Sequence, residues 1–191
     1  MVDAPYVGRR ICVIGNAATG KSTLARVLAD RLGLRYIDRD ALVWDTGWRQ
    51  RSREELFGRV EAATREDGWA YDGHLRRRRP YEQVVLGRCD TIVWLDFSRW
   101  RVMWSVLRRT LRRLLTHEEL SNGNVETWRM AFLPDWSIGW AWRNHVRLRV
   151  EYEALFASPQ YVSKIRVRLR NHHEVNQWLS RVPAACQQSR C

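Results

Sequence analysis

Short apolar runs alternate along the chain with longer stretches whose apolar residues recur every three or four positions. Ile11–Ile14 reads as a buried strand, and the pattern from about Lys21 to Leu32 as the helix that follows it. Arg35–Asp38 reads as a second strand. Ser52-Arg-Glu-Glu55 has the spacing of a capping box and opens a helix running to about Thr64. Trp69–Asp72 reads as a third strand, Pro80 as the first turn of a short helix, and Thr91–Asp96 as a fourth strand. Lys164–Leu169 is the fifth, and Asn171-His-His-Glu174 repeats the capping spacing at the start of a last helix. Strands alternating with helices predict an α/β fold, a parallel sheet with helices on both faces.

One connection is too long for a simple crossover. Between Asp96 and Lys164 lie 67 residues, with several helical patterns and six tryptophans (Trp100, Trp104, Trp128, Trp136, Trp140, Trp142). A parallel crossover needs about a dozen, so a helical insertion over about 99–160 is expected. The fifth strand alternates strictly, Ile165, Val167 and Leu169 against Lys164, Arg166, Arg168 and Arg170. A strand wet on one side belongs at a sheet edge, because a central parallel strand is apolar on both faces. No repeat and no low-complexity linker interrupts the chain, so residues 1–182 are expected to form one domain, with 183–191 as a flexible tail.

A chain of 191 residues can bury about 70% of its unfolded surface and needs no metal or disulfide staple. No apolar run approaches the roughly 20 residues of a membrane-spanning helix, and the first ten residues lack the pattern of a secretory signal. A cytoplasmic protein with no membrane partner is expected. Cys12, Cys89, Cys186 and Cys191 have no metal-ligand spacing and read as reduced thiols. The net charge of +12 is uneven: residues 99–170 hold 14 bases and 6 acids, residues 1–98 hold 17 and 14. Such a field attracts phosphorylated ligands, nucleic acid or anionic lipid without choosing among them.

The choice is narrowed by Gly15-Asn16-Ala17-Ala18-Thr19-Gly20-Lys21-Ser22, a G-x-x-x-x-G-K-[ST] string between a predicted strand and a predicted helix. In that setting the glycines let main-chain N–H groups converge on a β-phosphate at the positive end of the helix that continues through Thr23. Lys21 supplies a point charge to the β- and γ-phosphates of ATP, and the Ser22 hydroxyl is a Mg²⁺ ligand. Only Lys21 and Lys164 among the 33 basic residues are lysines. An arginine-using chain therefore keeps lysine where a compact ammonium must enter a ring of amides too tight for a guanidinium.

Together with Asp72-Gly-His-Leu-Arg76 and the arginine-rich helix after the fourth strand, this P-loop resembles the adenylate-kinase-like P-loop kinases. Within them YIDRDALVW, REELFGRVEAA, GWAYDGHLRR, TIVWLDF, LRRTLRRLL and GNVETWRMAF are most similar to the bacterial proteins labelled DNA topology modulation proteins, a label that specifies no reaction. The resemblance implies a P-loop NTPase three-layer fold: a five-stranded parallel sheet of order 2-3-1-4-5, with a lid between strands 4 and 5. It implies ATP and Mg²⁺ as cofactors. In nucleotide monophosphate kinases a D-G-x-x-R segment holds the metal's water shell through its Asp and an acceptor phosphate through its Arg. Carried over, these are Asp72 and Arg76, although His74-Leu75 replaces the Phe-Pro of adenylate kinases. Asp96 is a rival to Asp72 by pattern, and reads equally as a solvated carboxylate or helix cap. Asp38-Arg-Asp40 is similar to the D-x-D of shikimate-kinase-like enzymes, where one carboxylate approaches Mg²⁺ and the other the acceptor hydroxyl. Asp40 could thus take a hydroxyl proton, or the pair could simply shape a turn at the strand end.

In the insertion, Met103, Val106, Leu107, Thr110, Leu111 and Leu114 form the expected apolar stripe of a helix that also carries Arg101, Arg108, Arg109, Arg112 and Arg113. Such arginines commonly lie along a solvated face. Arg109 and Arg113, one turn apart, are the candidates for neutralising charge on a transferring phosphoryl group. Arg143 and Arg147 are candidates for closing from the other side. Trp140 and Trp142 read as packing, and Trp44 or Trp48 as a stacking platform for a base or sugar. His172 and His173 read as a helix start.

The expectation is a phosphotransferase moving the γ-phosphoryl of ATP to an unidentified small acceptor. Two alternatives stay open on the sequence: a nucleotide-gated nucleic-acid-binding protein, and an ATPase switch without an acceptor.

Overall fold

The computed structural model describes residues 7–74, 79–131, 133 and 136–184. Five strands, β1 (Arg10–Gly15), β2 (Arg35–Asp38), β3 (Trp69–Asp72), β4 (Thr91–Leu95) and β5 (Ile165–Leu169), form one parallel sheet of order β2-β3-β1-β4-β5. β1 is central and solvent-free from Ile11 to Ile14, as a strand covered on both faces must be. The alternating β5 is at the edge, as its pattern predicts. With helices on both faces this is the three-layer P-loop NTPase arrangement.

The period-two pleat divides the apolar side chains into two layers. Cys12, Ile14, Trp69, Tyr71, Ile92 and Trp94 face α3 (Arg53–Ala63), α4 (Pro80–Arg88) and α7 (Ser137–Ala157), where Leu56, Val85 and Tyr152 meet them. Ile11, Val13, Ala70, Val93 and Leu95 face α1 (Lys21–Leu32), α5 (Arg99–Thr116) and α8 (His172–Arg181). Both capping boxes predicted from the sequence are formed at their N-caps. The Glu55 amide donates to Ser52 Oγ at 3.1 Å and the Glu174 amide to Asn171 Oδ1 at 2.9 Å. Glu174 Oε2 also accepts from the Arg170 amide at 2.8 Å. Cys12 and Cys89 are buried free thiols; Cys186 and Cys191 lie outside the described residues. No helix among the described residues is long and apolar enough to cross a membrane.

The long β4–β5 connection holds α5, α6 (Trp128–Ala131) and α7, with α5 and α7 packed on each other. Here the predicted stripe is corrected. The residues that α5 buries are Val102, Val106, Thr110 and Leu114, whereas Leu107 and Leu111 stay about 40% exposed. The helix is apolar over a wider arc than a single core contact can cover, and the sequence does not reveal which part of the arc meets the sheet. The carboxylate of Asp96, just past β4, is turned to Arg168 (2.6 Å) and Arg149 (3.6 Å), a buried ion group rather than a solvated acid.

One short helix is not apparent in the apolar pattern. α2 (Arg39–Val43) follows β2 directly, with Asp38 as N-cap accepting from the Asp40 amide at 2.9 Å. The D-x-D segment therefore does form a cap, and the same cap sets where Asp40 stands.

Candidate active site

The loop between β1 and α1 is braced from behind. A Cβ on Gly15 would approach the Leu95 carbonyl and Thr19 Oγ1 to 2.9 Å each, so only glycine lets the chain turn there. Gly20, at φ 88°, turns the chain into α1. Asn16 Nδ2 donates to the Ala141 carbonyl at 3.1 Å and thereby ties the loop to α7. Thr19 Oγ1 and Lys21 Nζ both donate to the Asn16 carbonyl, at 3.0 and 2.7 Å. Leu24 is the first residue whose amide bonds within this turn, to Gly20 O at 2.9 Å, so the amides of Lys21, Ser22 and Thr23 point out of the helix end.

Those residues open onto a cavity of about 920 Å³. Of the nine loop residues expected to hold ATP, Ala17, Ala18, Gly20, Lys21, Ser22 and Thr23 line it; Gly15, Asn16 and Thr19 support the loop from underneath. Asp72 enters from the end of β3, and Asp38 and Asp40 from the β2–α2 junction. Arg109 and Arg113 enter from α5, and Trp44, Trp48, Trp136 and Trp140 form apolar wall. The expected site residues thus converge, with two exceptions. Arg76 lies outside the described residues. Arg143 and Arg147 do not line the cavity; Arg147 pairs with Glu151 at 3.3 Å along the outside of α7.

The charges inside are tuned by burial. Lys21 is pushed below the ordinary lysine pKa by desolvation, with Asp72 and Asp40 opposing. Asp72 is raised by burial, against the pull of Lys21 and of a hydrogen bond from Ser22. Tyr36 OH reaches Asp72 Oδ2 at 3.4 Å, while Asp72 Oδ1 is buried without a hydrogen-bond partner. Arg113 pairs with buried Glu126 at 3.4 Å. Arg109 is lowered to about 10 by burial, and then by Arg113; its Nε is buried without an acceptor. A guanidinium held this way is short of an anion.

Mg²⁺ fits this donor set. Ser22 and Asp72, whose Oδ1 has no hydrogen-bond partner, line the cavity together with the first turn of α1. No cluster of three or more His, Cys, Asp or Glu side chains that could form a metal cage occurs among the described residues. A hard cation held by phosphate, one hydroxyl and water needs no such cage.

Several participants are invisible to sequence reasoning. Tyr36 is one. Arg39 is another: it sits almost fully buried beneath the cavity, pairing with Asp40 at 3.3 Å and Glu82 at 3.6 Å. A third is the loop after α5, laid on the D-x-D segment. Ser121 Oγ donates to Asp38 Oδ2 at 2.8 Å, Asn124 Nδ2 to the Asp45 carbonyl at 3.0 Å, and the Trp48 amide to Asn124 Oδ1 at 2.8 Å. Arg39 left no signal in the sequence, because the burial of Glu82, which demands a cation, is itself a product of the tertiary structure. The loop contacts span about 80 residues and left none. Trp44 and Trp48 both pack against Trp136, the first tilted at 6.5 Å and the second edge-on at 4.8 Å, so they form a wall built by the insertion as much as a free platform. Trp140 meets the His74 ring at 4.7 Å in a tilted pair and packs into both apolar layers, as expected; Trp142 is only half covered, with Arg99 over its ring at 3.4 Å.

No protein-family model matches the chain. Over 60 residues it is 42% identical to a shikimate kinase of Thermosynechococcus vestitus, covering 31% of this chain and 32% of that protein. Over 42 residues it is 48% identical to a shikimate kinase of Geobacter metallireducens, covering 22% and 24%. The matches thus span about a third or less of the relatives' own length. Among solved structures, a gluconokinase from Sinorhizobium meliloti aligns over 94% of this chain and 92% of its own, at 17% identity and TM-score 0.49. A sugar kinase from Janibacter aligns over 91% of each chain, at 16% identity and TM-score 0.47.

Proposed function

We propose that the chain is a Mg²⁺-dependent phosphotransferase that moves the γ-phosphoryl group of ATP to a hydroxyl of a small acceptor. The observation that carries this reading is the convergence on one cavity of Lys21, Ser22, Asp72, Asp40 and Arg109, drawn from four separated segments. Short stretches of identity with proteins named shikimate kinase support a P-loop kinase acting on a small molecule.

In this reading the α1 amides and Lys21 hold the β- and γ-phosphates. Ser22 and, through water, Asp72 would hold Mg²⁺, which would supply charge neutralisation between those phosphates. Asp40, lining the cavity and oriented by Arg39, accepts the acceptor's hydroxyl proton as the new O–P bond forms and the bond to the ADP oxygen breaks. A nucleoside monophosphate, already an oxyanion, would need no such base. Arg109 and Arg113 stabilise the charge passing between donor and acceptor. The insertion serves as the lid, its Ser121 gripping Asp38, so that water is shut out while the acceptor is aligned.

An ADP-release screen with ATP·Mg²⁺ over hydroxylated metabolites and nucleoside monophosphates tests this. ADP formation should require a hydroxylated acceptor. Release at the same rate without any acceptor would identify an ATPase instead, and release only with nucleoside monophosphates would remove Asp40 from its role.

A further inference from the structure

α5 carries more apolar surface than its core contact uses. Trp100, Trp104, Leu107, Leu111 and Leu115 are 40–77% exposed, although Val102, Val106, Thr110 and Leu114 of the same helix are buried. At 100° per residue the exposed five fall within one arc of about 80°, and their spacing of 4, 3, 4 and 4 is that of a helix-packing seam. The stripe does not stop at the end of α5. Trp100 meets Trp142 at 6.1 Å, and Val146 and Val150, each 60% exposed, continue it along α7.

We propose that this two-helix face is the interface through which the chain pairs with a second copy of itself. The area argues for it. At their exposures these eight side chains present roughly 900 Å² per copy, against the ~800 Å² per partner of a standard stable interface. Contiguous apolar surface of that size is rare on monomers. The composition agrees: tryptophan and leucine fill the middle, and Arg101, Arg108 and Arg112 follow one edge, where a rim stays wet. A two-fold axis would bring the same stripe of each copy together reciprocally. A single-stranded nucleic acid would use the three tryptophans but not the five aliphatic residues. The pairing would also bear on the cavity, because the opposite flank of α5 carries Arg109 and Arg113 into it. The inference stands apart from the proposed reaction and is tested without it.

The test is sedimentation equilibrium of the full chain over about 1–100 µM, alone, with phosphatidylglycerol vesicles, and with a single-stranded oligonucleotide. Twice the 22.7 kDa chain mass is expected for the protein alone. Leu111→Glu should weaken pairing at least about 100-fold while circular dichroism and the heat of ATP binding stay as in the parent. Leu115→Arg, at the most exposed leucine of the stripe, should do the same if Leu111→Glu fails to fold. A parent chain that remains monomeric throughout overturns the proposal. So does a monomer that binds vesicles or oligonucleotide through this face, and so does a folded variant that still pairs.

Discussion

Replacing Arg109 by methionine separates what this side chain costs the fold from what it does in the cavity. Methionine keeps much of the aliphatic stem and removes the charge. Burial, reinforced by Arg113, lowers the guanidinium pKa from its ordinary value to about 10. At about 1.4 kcal/mol per pH unit, and discounted for the part of the side chain that reaches water, the charge costs the folded chain ~2 kcal/mol. The unfolded chain keeps this proton to higher pH than the folded chain, which holds it only to about 10. Below pH 10 the cost is therefore present in full, and stability recovers only as pH rises above 10. At neutral pH Arg109→Met should raise the stability of the ligand-free chain by about 2 kcal/mol, or roughly 4–8 °C in Tm for a chain of this size. Acceptor-dependent ADP release should fall by about 10³–10⁵, the range for an arginine that neutralises a transferring phosphoryl group. Thermal melts and a coupled ADP assay on one preparation read both effects. A variant that melts lower than the parent and turns over within about tenfold of it would refute the reasoning on both counts.

Lys21→Ala should abolish the heat of ATP·Mg²⁺ binding in calorimetry while leaving the fold intact by circular dichroism, since the hydrogen bond of Lys21 Nζ is made within its own loop. Asp40→Asn should lower turnover of a hydroxylated acceptor by about 10²–10⁴ with little change in ATP binding. Burial raises the pKa of Asp72 above the ordinary carboxylate value in the metal-free chain. The same shift means that ionised Asp72 lowers stability above its folded pKa, so Asp72→Asn should melt higher than the parent at neutral pH. Arg168→Ala strips buried Asp96 of its 2.6 Å partner and leaves Arg149 at 3.6 Å. Urea unfolding should show a loss of about 2–4 kcal/mol.

What the sequence discloses is what local spacing controls. β1, its loop and α1 are written in adjacent residues, as are both capping boxes and the edge character of β5. The position of Asp72 follows once β3 is placed beside β1. What stays hidden depends on contacts between distant segments. The burial of Arg39 against Glu82, the grip of Ser121 on Asp38 and the Trp44–Trp48–Trp136 wall each join parts of the chain some 40–90 residues apart. α5 shows the same limit in another form: two apolar faces coexist on one helix, and only the tertiary structure says which one meets the sheet.

The scarcity of lysine gives the chain an unusual chemical simplicity. Lys164 Nζ is bound to the carbonyls of Gly87 and Cys89 at the far end of the sheet, and Lys21 Nζ spans the loop at the cavity. Amine-directed acylation therefore meets just two ε-amino groups, one stitched into a helix terminus and one where the proposed triphosphate would lie. Mass spectrometry of the labelled chain would read occupancy of that loop directly, with Lys164 as its built-in reference.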